Sequence, residues 1–199
     1  AAEVGRKGFE YAQLSDSPFG NLETLHALSK TTFFLSEIET SASERKKLLE
    51  EALELREKSI KIIDQLMLPN VWSTGVVHNY IALVKADLAK IEENKEKKKQ
   101  LLEEAVSSME KCLEICTKSL QKGVPVPGQL AAVGGYCDWF IGILEQLYSL
   151  TKDEKVINRA IQVCQNATEV YQKAGMPSRV AEAYWKAARL YDRRGEYSK

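Results

Sequence analysis

Apolar residues recur three and four positions apart along most of the chain, which is the spacing of one face of an α-helix. No stretch alternates between apolar and polar residues for long enough to predict a β-sheet. The pattern predicts helices at residues 1–14, 21–40, 43–67, 74–93, 96–121, 129–151, 153–174 and 179–194. Because the connections between them are short, neighbouring helices should be antiparallel, and the predicted fold class is all-α.

Prolines mark the joints between these helices, since proline disrupts a helix interior but suits turns and first helical positions. Pro18 lies in a turn-forming cluster, and Pro125 and Pro127 stand in a glycine-containing loop. Pro177 precedes the last helix, where Ser178 is the predicted N-cap.

Two adjacent glycines, Gly134 and Gly135, interrupt the helix predicted at 129–151. Glycine in a helix interior costs about 1 kcal/mol relative to alanine, so an offsetting structural reason is expected. Two explanations stay open: a neighbouring helix passes too close for a side chain, or the helix breaks. In the second case the helix would begin near Tyr136, and residues 122–135 would form one long loop.

The second helix of each predicted pair carries a repeated sequence. Leu-Leu-Glu-Glu-Ala at 48–52 returns at 101–105, and a weaker copy, Val-Ile-Asn-Arg-Ala, stands at 156–160, so the copies are spaced by 53 and then 55 residues. Small residues hold matching positions in the three copies: Ala52, Ala105 and Ala160, and seven residues later Ser59, Cys112 and Ala167. Helices approach to about 8–10 Å only where the crossing side chains are short, so the repeat predicts stacked helix pairs with a shared core. The predicted pairs are 21–67, 74–121 and 129–174.

The last segment, residues 181–197, has the densest set of matching positions. Large aromatics stand at its fourth and eleventh positions, alanines at the seventh and eighth, and a glycine, an acidic residue and an aromatic follow. These residues are Tyr184, Ala187, Ala188, Tyr191, Gly195, Glu196 and Tyr197. The segment resembles the first helix and turn of a tetratricopeptide repeat (TPR).

The earlier pairs depart from the usual TPR pattern, because their spacing exceeds roughly 34 residues and the Gly-acidic-aromatic turn is missing. They resemble the long-helix relatives of that family: adaptor proteins of the soluble NSF-attachment type and helical arrays attached to signalling ATPases. This resemblance implies a right-handed α-solenoid that binds other proteins through a concave groove. We therefore expect residues 1–199 to form a single TPR-like helical repeat domain of a longer chain, with 179–199 beginning a further repeat.

In that family the groove is lined by the exposed faces of the first helices. On the last repeat the resemblance places Glu182, Trp185, Arg189, Asp192 and Arg193 there as partner-binding residues. Their spacing puts them on one stripe of the helix, and an exposed tryptophan beside arginine is typical of a binding hot spot. The alternative is that Trp185 packs against a following helix.

A second stripe is predicted on the helix at 74–93, which is the first helix of its pair. The corresponding residues there would be Asn79, Ala82, Ala86 and Lys90. Trp72, in the joint before this helix, has two possible roles: it packs onto the core, or it is an exposed contact.

The composition narrows the classes of function. The chain has 28 basic and 28 acidic side chains, so it lacks the basic surplus that a general nucleic-acid binder needs. No apolar run approaches the roughly 18 residues of a membrane-spanning helix, and the N-terminus shows no signal peptide pattern. Four cysteines in a chain of this size do not indicate a disulfide-rich secreted domain, so we expect reduced thiols and a cytoplasmic location.

Two sets of side chains could carry chemistry. The cysteines could supply four thiolates to a zinc ion, but they include no tight Cys-x-x-Cys pair, so they are interpreted as compact core side chains. They are Cys112, Cys116, Cys137 and Cys164. His26 and His78 nearly align across the repeat and are interpreted as ordinary packing or surface residues. No Ser/His/Asp arrangement, phosphate-binding loop or His-Glu-x-x-His motif is present.

The densest charge run is Lys95-Glu96-Lys97-Lys98-Lys99, and its interspersed acids favour a solvated helix surface. The sequence as a whole predicts a protein–protein interaction scaffold with no catalytic residues, cofactor or metal. Its partner would be a protein, a peptide or another domain of the same parent protein, with no nucleic acid and no membrane insertion. One alternative is a regulatory sensor arm of a larger signalling ATPase, and another is a helical metal-binding protein or enzyme.

Overall fold

Seven helices make up the part of the chain that the structure, a computed structural model, describes: residues 17–67, 71–122 and 126–195, with Lys7 and Glu10. They are Pro18–Ile38 (α1), Ala42–Gln65 (α2), Trp72–Ile91 (α3), Lys95–Gln121 (α4), Pro127–Thr151 (α5), Glu154–Lys173 (α6) and Pro177–Arg193 (α7). No strand occurs in these described ranges, so the all-α prediction is confirmed for them. The helix predicted at 1–14 lies outside the described residues, apart from Lys7 and Glu10.

Side-chain caps and prolines set most of the helix starts. Four of the described helices begin at a side chain that accepts a backbone N–H of the first turn, at 2.9–3.4 Å. These caps are Ser17, Ser41, Asn94 and Asp153. Proline opens three helices, at Pro18, Pro127 and Pro177. Ser178 is therefore not the N-cap that we predicted, because α7 already begins at Pro177 and Met176 is its cap residue.

Each helix packs mainly against its neighbours in sequence, and the most extensive contacts lie within the pairs α1–α2, α3–α4 and α5–α6. Because the connections span only two to six residues, paired helices are antiparallel. The first helix α3 also touches the first helices α1 and α5. The first helices therefore form one layer, and the second helices α2, α4 and α6 form the other.

Small residues allow the close crossings within the pairs. The repeated small residues are all buried: Ala52, Ser59, Ala105, Cys112, Ala160 and Ala167. A Cβ on Gly134 would lie 2.3 Å from Tyr171 Cε1, and one on Gly75 would lie 2.4 Å from Cys116 Sγ. Because α5 runs unbroken through Gly134 and Gly135, the close-approach explanation holds, and the alternative of a long loop over 122–135 is wrong.

The buried core is divided unevenly along the array. One large apolar cluster extends from α3 to α7, whereas three smaller clusters join α1, α2 and α3. The buried polar residues of α1 and α2 lie among these smaller clusters: Ser29, Thr32, Ser36, Arg56 and Ser59. None of the described helices is long and apolar enough to cross a bilayer.

Candidate functional site

Helix α7 presents three of the predicted binding residues along the edge where it meets α5. Trp185 is 59% exposed, and its ring centre lies 4.8 Å from the guanidinium carbon of Arg189 in a cation–π contact. Arg189 and Arg193 both reach a carboxylate oxygen of Glu145 on α5, at 3.6 and 2.8 Å. The tryptophan and the two arginines therefore form one continuous exposed strip.

The other two predicted residues have different surroundings. Glu182 pairs within its own helix, with Arg179 at 2.7 Å and Lys186 at 3.4 Å. Asp192 is exposed and forms no ion pair with any residue that the structure describes. Neither carboxylate pairs with a residue of α5, so the strip beside α5 consists of Trp185, Arg189 and Arg193.

A largely buried carboxylate fixes α7 against the preceding helix pair. Asp138 of α5, whose side chain is 13% exposed, accepts hydrogen bonds from the Tyr171 hydroxyl at 2.6 Å and the Lys186 ammonium at 2.7 Å. Burial and the hydrogen bond to Asp138 raise the pKa of Tyr171, so the phenol remains a donor. Because α5, α6 and α7 meet at Asp138, this network holds the face that carries Trp185 in a fixed orientation.

Our sequence analysis missed a row of aromatic side chains that runs from α3 onto α5. The ring centre of Trp72 lies 6.3 Å from that of Tyr136, which in turn lies 6.0 Å from that of Trp139. Trp72 packs against the main core, as one of its two predicted roles required, while Trp139 is 46% exposed. The sequence could have predicted the exposed position of Trp139. Trp139, Gly142 and Gln146 are spaced by three and four residues and therefore share one face of α5.

The binding stripe that we predicted on α3 is wrong. Asn79, Ala82 and Ala86 are all buried, and the two alanines pack in the main core with residues of α4. Of the four predicted positions only Lys90 is exposed. The register failed because α3 carries apolar residues on nearly every side, so the hydrophobic pattern does not single out an exposed face.

The two histidines lie in separate surroundings rather than in a shared site. Arg56 Nη1 donates a hydrogen bond to His26 Nδ1 at 2.7 Å, and the guanidinium carbon lies 4.4 Å from the ring centre of Tyr80. Burial, and then the positive charges of Arg56 and Lys30, lower the pKa of His26 to about 4. Burial likewise lowers the pKa of His78. His26 is therefore a neutral hydrogen-bond acceptor near neutral pH.

All four cysteines are buried, which confirms their interpretation as compact core side chains. Burial raises the pKa of Cys137 and of Cys164 to about 12, so these thiols are protonated and unreactive at neutral pH. Within the described ranges, no group of three or more histidine, cysteine or acidic residues is placed to hold a metal ion.

The lysine run forms the first turn of α4 and lies at its surface. Lys97 lies 3.5 Å from Glu92, and Lys99 lies 3.7 Å from Glu103. Lys98 forms no ion pair with a described residue. The interpretation of this run as a solvated helix surface agrees with this placement.

Comparison with known proteins informs the fold alone. No family model and no curated protein matches the chain. A computationally designed self-assembling cyclic homooligomer is similar with a TM-score of 0.52 and 14% identity, over 100% of this chain and 85% of that one. The de novo designed helical repeat protein DHR64 has a TM-score of 0.44 and 17% identity, over 87% of this chain and 79% of that one. BtubC from P. vanneervenii has a TM-score of 0.26 and 15% identity, over 100% and 92% of the two chains.

Proposed function

We propose that this chain is a non-catalytic interaction scaffold that binds a protein segment in a groove over its first helices. The observation that carries the proposal is Trp185, which is exposed on the outer edge of the array and lies over Arg189. Tryptophan and arginine are the side chains most enriched among interface hot spots, and a large exposed aromatic on a rigid helix gains stability when a partner covers it.

The proposed groove is formed by α3, α5 and α7. Its shape would follow the TPR-like arrangement that the sequence resembles, a right-handed α-solenoid. The proposed mechanism is rigid presentation: the Asp138 network holds α7 in place, so a partner pays little conformational entropy for ordering this surface. The proposed partner is a peptide, a helix or a neighbouring domain of the same parent protein.

A matched pair of variants tests this proposal. Trp185 and its neighbour Tyr184 are almost equally exposed, at 59% and 60%, but Tyr184 lies in a different groove, between α6 and α7. We expect Trp185→Ala to abolish capture of a partner from lysate of the source cells, and Tyr184→Ala to leave that capture intact. The readout is quantitative mass spectrometry of the captured proteins, with folding of each bait checked by circular dichroism.

Two results would contradict the proposed site. If the Trp185→Ala variant still captures the partner, the groove beside Trp185 is not the binding site. If Trp185→Ala and Tyr184→Ala reduce partner capture equally, the binding surface lies between α6 and α7, or both substitutions disturb α7 as a whole.

A further inference from the structure

Helix α7 is attached to the rest of the array with little buried apolar surface. Only Ala183 and Leu190 of this helix are buried, whereas eight residues of α6 are. Val180, Ala187 and Tyr191 pack at the margin of the main core and are partly exposed. Apolar burial therefore contributes less to the docking of α7 than to the docking of α6.

Two carboxylates of α5 supply a second set of contacts to α7. Asp138 and Glu145 are seven residues apart, which is about two helical turns, so they lie on one face of α5. Each of them pairs with two cations of α7, at N–O distances of 2.7–4.0 Å. The pairs are Lys186 and Arg179 with Asp138, and Arg193 and Arg189 with Glu145. Helix α7 is thus fastened to α5 at two points, about two turns apart.

The two fastening points differ in their exposure to solvent. At the first point the side chains of Asp138 and Lys186 are 13% and 23% exposed. At the second point Glu145 is 25% exposed, and both of its arginine partners are 42% exposed. Salt screens exposed charges strongly and partly buried charges much less. The ion pairs of Glu145 should therefore weaken as the ionic strength rises, while the contacts of Asp138 largely persist.

The exposed fastening point also positions Trp185. The guanidinium of Arg189 pairs with Glu145 and lies 4.8 Å from the ring centre of Trp185. Arg193, one turn further along α7, pairs with the same carboxylate. The exposed strip on α7 therefore keeps its place beside α5 only while Glu145 holds the two arginines.

We infer that α5 and α7 form a salt-sensitive latch, in which α7 is docked at low ionic strength and opens as a unit when salt screens the ion pairs of Glu145. The helices from α3 to α6 stay folded during this opening, because one continuous apolar core holds them. The opening itself requires no partner. Its consequence for binding rests on the proposed function, because only the docked state presents Trp185 at the edge of the groove.

The test is native-state hydrogen exchange of the full chain, without a partner, in about 0.1 M and about 1 M sodium chloride. The Debye length falls from about 10 Å to about 3 Å between these concentrations. We expect the backbone amides of α7 to exchange about fivefold faster at the higher concentration, because local opening sets their protection. The amides of α5 and α6 should change by less than about twofold. Rates are read by mass spectrometry and divided by those of an unfolded peptide in the same salt.

A matched pair of variants assigns the effect to Glu145. Glu145→Gln should speed exchange in α7 about fivefold at 0.1 M salt and should remove most of the salt dependence. Glu110→Gln is the control, because it removes another exposed ion pair between two helices, with Arg159 of α6 at 3.5 Å. This control should leave exchange in α7 unchanged at both salt concentrations.

Three results would overturn the latch. The first is exchange in α7 at the same rate as in α5 and α6 at both salt concentrations, since α7 would then open only with the whole array. The second is a salt dependence of α7 that persists in Glu145→Gln. The third is an equal effect of Glu145→Gln and Glu110→Gln.

The outcome is independent of the proposed function, because no partner is present. If the latch fails this test, the strip beside α5 stays in the proposal as a permanently docked surface. If Trp185→Ala instead leaves partner capture intact, the proposed site is lost, and the exchange of α7 still decides whether the latch exists.

Discussion

The first and third helix pairs share one repeat but are held together by different chemistry. Where α1, α2 and α3 meet, the largest fully buried side chain is that of Arg56, which contacts His26 and Tyr80. Where α5 meets α6, the ring of Tyr171 fills the space over Gly134 within a continuous apolar core. A repeated sequence can therefore fix how two helices cross while the side chains packed between them differ from pair to pair.

The polar junction in the first region has an unusual charge balance. Arg56 donates to His26 Nδ1 and, at 3.3 Å, to the His26 carbonyl oxygen, and its guanidinium lies over Tyr80. No carboxylate pairs with it among the described residues, and its Nε has no hydrogen-bond partner there. Burial lowers the pKa of Arg56 to about 10. Since a buried charge without a counter-ion adds little stability, the directional bonds of this junction should mainly fix how α1, α2 and α3 align.

Removing the side chain at the centre of the polar junction, Arg56, should destabilise the protein most. Arg56→Ala should lower the free energy of unfolding by about 3–4 kcal/mol, because it leaves a cavity between three helices and an unpaired His26 Nδ1. Arg56→Met, which fills most of the cavity but also leaves His26 Nδ1 unpaired, should cost only about 1–2 kcal/mol. Urea denaturation followed by circular dichroism measures both. A large loss with Arg56→Met would show that the charge itself is required.

The second prediction concerns the apolar junction. Gly134→Ala should destabilise by about 2–3 kcal/mol, because its Cβ would meet the buried ring of Tyr171, which is held by its bond to Asp138. Gly135→Ala is the matched control: its Cβ would meet nothing within 4 Å, so it should stabilise α5 by about 0.5–1 kcal/mol. In Gly134→Ala, the backbone amides of α5 and α6 should exchange hydrogen faster than in the wild type. If both substitutions stabilised the protein, helix propensity rather than close approach would govern Gly134.

The third prediction is that His26 in the polar junction makes the fold sensitive to mild acid. The folded-state pKa of His26 is about 4, below its ordinary 6.5, so the unfolded chain binds more protons between these values. Stability contributed by neutral His26 is therefore present above about pH 6.5 and is lost as the pH falls towards 4. Between about pH 7.5 and pH 5 the loss should be on the order of 1 kcal/mol, because the His26 ring is partly exposed and solvent screens part of the effect.

His26→Gln provides the control for this pH effect, because a glutamine carbonyl can still accept from Arg56 but does not titrate. Urea midpoints at the two pH values should differ less in this variant. His78, whose pKa is also lowered, is present in both proteins and contributes the same background. An unchanged pH dependence in His26→Gln would assign the acid sensitivity to other groups.

The difference between the two junctions also explains which features the sequence could predict. The helices, the repeat and its buried small residues follow from local spacing, and the structure confirms them from residue 17 onward in the ranges that it describes. The exposed face of α3 could not be predicted from the sequence, because α1, α2, α4 and α5 all pack on this helix and its apolar residues lie on nearly every side. The burial of Arg56 could not be predicted from the sequence either, because it depends on contacts with His26 of α1 and Tyr80 of α3. Trp139 was overlooked, although its stripe on α5 was visible in the spacing.

The smallest expected effect tests whether polar contacts also matter in the middle pair. Lys85 of α3 contacts Glu104 of α4 at 2.7 Å, whereas Lys118 and Glu114 form a similar pair within α4 alone, at 2.6 Å. Glu104→Gln should destabilise by about 0.5 kcal/mol, because Lys85 is mostly buried and the pair bridges two helices. Glu114→Gln, the same change on the exposed side of the same helix, should have no measurable effect. Equal effects in urea denaturation would mean that the burial of Lys85 and the bridge between two helices add no stability to this pair.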